Sequence, residues 1–172
     1  MIVKYLTESR ALEKNLVMEW IARGDIYEEK KHHNVIFVGR DADGIPRYAH
    51  CRGTGEMKYR GDVVGSDKSS GFCYRGTDNQ LFVFEAAIDL LSFIQLFPKD
   101  WKKRSYLSLG GVSSRALMAF LSERPQITSV FLCLDNDQAG NEACEKLAGE
   151  ISERYSVIRL KPSRKDWNRN PL

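Results

Sequence analysis

Five carboxylates stand at or just beyond places where an apolar run ends. Glu85 directly follows Leu81-Phe82-Val83-Phe84, and Asp135 and Asp137 follow Val130-Phe131-Leu132-Cys133-Leu134. Asp89 lies four residues after Glu85, and Asp166 follows Val157-Ile158-Arg159-Leu160. In extended backbone, residues i and i+2 point the same way, so Asp135 and Asp137 share a face. Asp89 is one helical turn beyond Glu85 and can look toward the same cleft. Like charges gathered this closely repel unless a cation lies between them. Hard oxygen ligands with no His or Cys beside them suit Mg²⁺ or Mn²⁺. A plainer reading stays open for Asp135 and Asp137, which can cap the helix that starts near residue 139.

The elements that must position these acids are legible in the apolar pattern. Runs at 81–84, 106–109, 130–134 and 157–160 suit parallel strands covered on both faces. Helical patterns at 86–97, 113–123 and 139–153 separate them, the last with Ala139, Ala143, Leu147 and Ile151 on one stripe. Gly110-Gly111 makes the turn after the second strand. The result is an α/β fold, a four-stranded parallel sheet with flanking helices. Ligands bind such sheets beyond the carboxyl ends of the strands, where the acids are. For Glu85 and Asp135 to share a metal, the 130–134 strand must lie beside the 81–84 strand, about 4.8 Å away.

The texture changes near residue 80, which divides the chain into a small α+β subdomain, 1–78, and the α/β domain, 79–172. In the first, Leu12, Leu16 and Trp20 predict a helix over 9–23, stopped by Gly24. Val35–Val38 and Ile45–Arg52 flank Asp43-Gly44, a hairpin signal, with Pro46 at an edge or at the first residues of its strand. Residues 53–71 read as a long polar loop, and Phe72-Cys73-Tyr74 as a short strand.

The net charge of +3, from 26 basic and 23 acidic residues, is too mild to establish a nucleic-acid partner alone. Its clustering says more. KDWKKR at 99–104 and RLKPSRKDWNR at 159–169 are strongly basic. Arg52, Arg60 and Lys68 in the first part, with Lys102, Lys103, Arg104, Lys161, Arg164 and Lys165 in the loops, are candidate phosphate contacts; exposed loop charge is the alternative. Loop 53–71 and segment 161–169 are expected to flank the acidic cleft from opposite sides. Cys51, Cys73, Cys133 and Cys144 form no CxxC pair and share no ligand-like register with the histidines, which argues against zinc. No apolar run reaches the ~20 residues of a membrane span, and charge follows the first three residues, so no membrane partner and a cytoplasmic location are expected.

Taken together, VFEAAIDLLS at 83–92, LSLGG at 107–111 and CLDNDQAG at 133–140 resemble the Toprim domain of bacterial primases, topoisomerases and certain nucleases, and the primase branch most. The first part, from YLTESRALEKN to GDVVGSDKSSGF, resembles a domain of unknown function found before Toprim domains in proteins of plasmids and integrative elements of Gram-positive bacteria. It is also similar to the basic subdomain that precedes Toprim in bacterial primase. The resemblance implies Glu85 as general acid/base and Asp135 and Asp137 as metal ligands, with Asp89 and Asp166 holding the metal or its waters. It also implies Arg52 and Lys68 as phosphate contacts. The chain departs from the family in Lys165-Asp166-Trp167-Asn168-Arg169, which carries one acid where a cluster is usual.

The implied function is Mg²⁺- or Mn²⁺-dependent nucleotidyl or phosphoryl transfer by a primase-like protein of a mobile genetic element. Single-stranded DNA, nucleotides and other replication or transfer proteins are its expected partners. Two alternatives stay open. One is a Toprim nuclease. The other is a non-catalytic DNA-binding module for a relaxase, helicase or replication initiator.

Overall fold

The computed structural model describes residues 1–55 and 59–169. Helix α1 (Ile2–Lys4) runs on as a π-helical turn over Tyr5–Ser9, and α2 spans Lys14–Ala22. Strands β1 (Ile26–Glu28), β2 (Val35–Arg40), β3 (Pro46–Arg52) and β4 (Arg60–Asp62) then form an antiparallel sheet in chain order. The Asp43-Gly44 turn joins β2 to β3. Asp41 Oδ1 accepts from the backbone N–H groups of Asp43 and Ile45, and Gly44 takes the left-handed φ of 79°. Pro46 is the first residue of β3, where its missing N–H costs least.

The second sheet contains β5 (Cys73–Tyr74), β6 (Gln80–Phe84), β7 (Ser105–Ser108), β8 (Ser129–Leu132) and β9 (Ser156–Arg159). Helices α3 (Ala87–Leu96), α4 (Arg115–Glu123) and α5 (Gln138–Ile151) connect β6, β7, β8 and β9 in turn. The strand order is β5-β7-β6-β8-β9. β6 to β9 are mutually parallel, as expected, and β5 adds an antiparallel edge beside β7.

Period-2 alternation assigns the two faces. Phe82 and Phe84 point toward α3 and the N-terminal helices, and join one core with Leu6, Leu16, Trp20, Leu91 and Phe93. Leu81 and Val83 point the other way and pack with Leu117 and Phe120 of α4 and Leu147 of α5. Cys133, Phe82, Phe84 and Leu107 are all buried. The first core cluster draws residues from both sides of position 78, so the two sheets are bound by shared apolar burial.

Three local readings are corrected. The helix over 9–23 is broken: Ala11 adopts φ 53°, and α2 restarts at Lys14. The cause lies outside the segment. Gln95 of α3 accepts from Glu13 N–H at 2.7 Å and donates to Ala11 C=O at 3.0 Å, satisfying backbone groups that a continuous helix would have paired. Residues 2–9, unassigned from sequence, are helical because Ile2 and Leu6 are buried four residues apart. Within 53–71, β4 pairs with β3 through Gly61 opposite Cys51, although Arg-Gly-Asp carries no strand signal of its own. Residues 56–58 of that loop lie outside the described residues. Among the described residues, no helix is long and apolar enough to cross a membrane.

Candidate active site

β6 and β8 are neighbours, with Val83 opposite Leu132. The Cys133 N–H donates to Val83 C=O at 2.8 Å and extends the pairing past the strand end. Glu85 and Asp135 therefore leave the same sheet edge from adjacent strands, the arrangement a shared ion requires. On the other side of β6, Leu109 N–H donates to Phe84 C=O at 2.9 Å and Gly111 N–H to Glu85 C=O at 3.2 Å. Gly110 sits at φ 65° with the Tyr48 hydroxyl where a Cβ would be. Only glycine lets this turn meet the first sheet so closely.

The acids form one electrostatic group. Burial, then the Asp137 charge, raises the Glu85 carboxyl, while Arg60 and Lys165 oppose the shift. Asp135 is pushed up to about 6 by burial, and further by Glu85, Asp166 and Asp137. Asp89 is buried in the first turn of α3 and pushed up to about 7, by burial first and then by Asp135 and Asp166. Asp137 is held low instead, because its Oδ1 accepts from Gly140 N–H at 2.9 Å as the N-cap of α5. Its Oδ2 pairs with Lys165 Nζ at 3.4 Å. Asp166 Oδ1 accepts from Arg169 N–H at 2.9 Å.

Capping is thus real for Asp137, and Asp135 has no such duty in the hydrogen bonds of α5. Among the described residues, no three His, Cys, Asp or Glu side chains stand close enough to ligate one ion as they are oriented. The donor set nonetheless suits a hard divalent cation. It is all carboxylate oxygen, and Glu85 and Asp135 are raised first by burial and then by the neighbouring carboxylates.

A cavity of about 280 Å³ opens beside Glu85 and is lined also by Gly110, Gly111, Tyr48, His50, Arg52, Arg60 and Asp62. It places two arginines of the first sheet against the carboxyl edge of the second. Arg52 Nε donates to the Tyr5 hydroxyl at 3.3 Å, and Arg10 Nε donates to the same oxygen at 2.8 Å. Arg10 was not a sequence candidate. Its only signal is the five-residue spacing from Tyr5, which the π-helical turn brings onto one side.

The other basic candidates have different surroundings. Lys68 pairs with Asp62, whose Oδ1 also takes the Tyr48 hydroxyl and His50 Nδ1 at 2.7 Å each. Lys102 pairs with Glu19 and Lys103 with Asp100. Lys161 lines a separate cavity with Cys144 and Arg159. Segment 161–169, which carries Arg164 and Lys165, is stitched to the Asp135 loop. Asn136 N–H donates to Lys165 C=O at 2.7 Å, and Trp167 Nε1–H to Cys133 C=O at 2.8 Å.

Residues 82–170 match the Toprim-like family, and the chain belongs to it. Residues 4–80 match a family described only as a protein of unknown function, DUF3991. An uncharacterised Bacillus anthracis protein, pXO2-78, is 27% identical over 96% of this chain, which spans 55% of that protein's length. Among solved structures, the primase fragment of the bacteriophage T7 primase-helicase protein superposes with a TM-score of 0.71 at 20% identity, over 93% of this chain and 66% of that one. The Mycobacterium tuberculosis primase RNA polymerase domain, in complex with a double-stranded DNA oligomer with an overhang, gives 0.63 at 15% identity, over 96% of this chain and 66% of that one. A primase catalytic domain bound to single-stranded DNA gives 0.59 at 15% identity, over 96% and 67%. The fold is therefore that of primase catalytic cores, spanning both sheets.

Proposed function

We propose that the chain is the catalytic module of a primase-like protein of a mobile genetic element, transferring nucleotidyl groups onto a strand paired with single-stranded DNA in the presence of Mg²⁺ or Mn²⁺. One observation carries the reading: Glu85 and Asp135 emerge side by side at the sheet edge, and the cavity that Glu85 lines is walled also by Arg52 and Arg60. Acids alone would repel a nucleotide, and arginines alone would only bind one.

Glu85 and Asp135, supported by Asp89, Asp137 and Asp166, would hold the ion, whose chemistry is to stabilise charge on the phosphoryl oxygens and orient the attacking hydroxyl. Arg52 and Arg60 bind and turn the phosphates by charge-assisted hydrogen bonds. Glu85, its carboxyl raised by burial, is the group suited to take the proton from that hydroxyl. Arg10, Arg164 and Lys165 extend the positive track beyond the cavity, and Lys68 contributes through Asp62.

The test is incubation of the chain with labelled nucleotides, single-stranded DNA and Mg²⁺ or Mn²⁺, comparing wild type with Asp135→Asn. Extended products that vanish in the variant support the reading. Shortened strands would mark a nuclease, and intact DNA that is bound but never turned over would mark a non-catalytic module.

A further inference from the structure

Arg159, on β9, makes no ion pair with a carboxylate among the described residues, yet its guanidinium is turned inward. Nη1 donates to the carbonyls of Leu132, Leu134 and Leu160 at 3.0, 2.9 and 2.8 Å. Nη2 donates to Asp135 C=O at 3.0 Å and to Asn141 Oδ1 at 3.3 Å. Nε is buried with no partner. A guanidinium drawn in among carbonyls, with one N–H unsatisfied and no counter-ion, is costly on its own account. Its acceptors share a location: three of the carbonyls mark the end of β8 and the first residue of the acidic turn. Leu132 C=O still accepts from Leu160 N–H at 3.0 Å, whereas Leu134 and Asp135 lie past the end of β8 and before α5 begins. Gly140 closes the same carbonyl from the other side, since a Cβ there would run into Asp135 O.

We infer that Arg159 is a positioning residue for the ion site: its planar fork locks the Leu134–Asp135 peptides so that the Asp135 carboxylate is presented beside Glu85. The inference rests on the metal reading above. It assigns to β9, at the far edge of the acidic pair, a function that the acids cannot perform for themselves. A lysine cannot replace it, because a single ammonium cannot span carbonyls of consecutive turn residues in one plane.

The experiment uses the full chain and titrates Mn²⁺ by electron paramagnetic resonance in wild type, Asp135→Asn, Arg159→Met and Arg159→Lys, alongside backbone amide hydrogen exchange. Wild type is expected to bind Mn²⁺ in a manner that Asp135→Asn abolishes. Arg159→Met should weaken that binding by about 10–100-fold, as losses of groups that orient metal ligands do. Exchange over residues 134–141 should rise about tenfold or more while residues 81–84 stay protected. Should Arg159→Met fail to fold, Arg159→Lys carries both measurements with the same expected direction. Unchanged Mn²⁺ affinity in a folded variant overturns the inference whatever the exchange shows. A wild-type chain with no Asp135-dependent Mn²⁺ binding overturns the metal reading, and the inference that rests on it falls with it; wild-type binding that Arg159→Met leaves unchanged overturns the inference alone.

Discussion

The backbone N–H of Asn168 donates to Oδ1 of Asp89 at 3.1 Å, across 79 residues of sequence. The same asparagine donates its side-chain N–H groups to Arg10 C=O and to Ser92 Oγ. The 167–169 turn thereby closes over the buried Asp89 carboxyl, the inner end of the acidic cluster, and ties it to the N-terminal helices.

Asp89 makes stability fall as pH rises. Its carboxyl is pushed up to about 7 in the fold. Unfolded it titrates near 3.9. Between these values the folded state holds a proton that the unfolded state has released, so the stability this group contributes is greatest below about pH 4 and is lost progressively up to about pH 7. Asp89→Asn keeps an acceptor for Asn168 and removes the ionisation. Urea unfolding at pH 5 and pH 8 with EDTA should show a smaller difference in the variant than in wild type. An equal difference in both would show that Asp89 is not the group responsible.

Glu85→Gln should leave the fold intact, since it removes like-charge repulsion and no packing. Nucleotide transfer should drop by about 10²–10⁴-fold, the usual contribution of a positioned acid/base. Product formation per folded chain, with circular dichroism as the fold control, checks this. Activity within a few-fold of wild type would remove Glu85 from the chemistry.

Arg10 and Arg52 converge on the Tyr5 hydroxyl, and neither is ion-paired among the described residues. Two guanidiniums on one neutral oxygen make a ready phosphate site. Arg10→Gln and Arg52→Gln should each weaken single-stranded DNA binding uniformly across sequences and reduce the salt slope by about 0.7. Lys68→Gln should change the slope less, because Asp62 already neutralises Lys68. Fluorescence anisotropy at several salt concentrations measures all three, and a slope unmoved by either arginine would exclude them from the DNA track.

Phe84 is fully buried against Phe93, with ring centroids 5.2 Å apart. Phe84→Ala should cost ~3–5 kcal/mol, read as a lowered urea midpoint. A loss under about 1 kcal/mol would mean that the sheet face toward α3 is not closely packed.

The acidic strand ends, the glycine turn and the parallel sheet are all legible in the sequence alone. Apolar runs such as 81–84 and 130–134 can bury both faces only in a helix-covered parallel sheet, and right-handed crossovers bring all carboxyl ends to one edge. Local chemistry also marked Gly44 and Pro46, whose backbone constraints act within their own turn and strand start. The rest depended on partners that no local period encodes. Gln95 breaks the N-terminal helix from 82 and 84 residues away. β4 exists because β3 offers it an edge, not because Arg-Gly-Asp favours extension. Arg10 and Arg52 meet at Tyr5 only through a π-helical turn. Arg159 looks like one more solvated base in a basic segment, but its guanidinium lies among the carbonyls of the acidic turn. Burial periodicity follows from each segment's own composition, whereas these hydrogen bonds form only after the hydrophobic core has brought distant segments together.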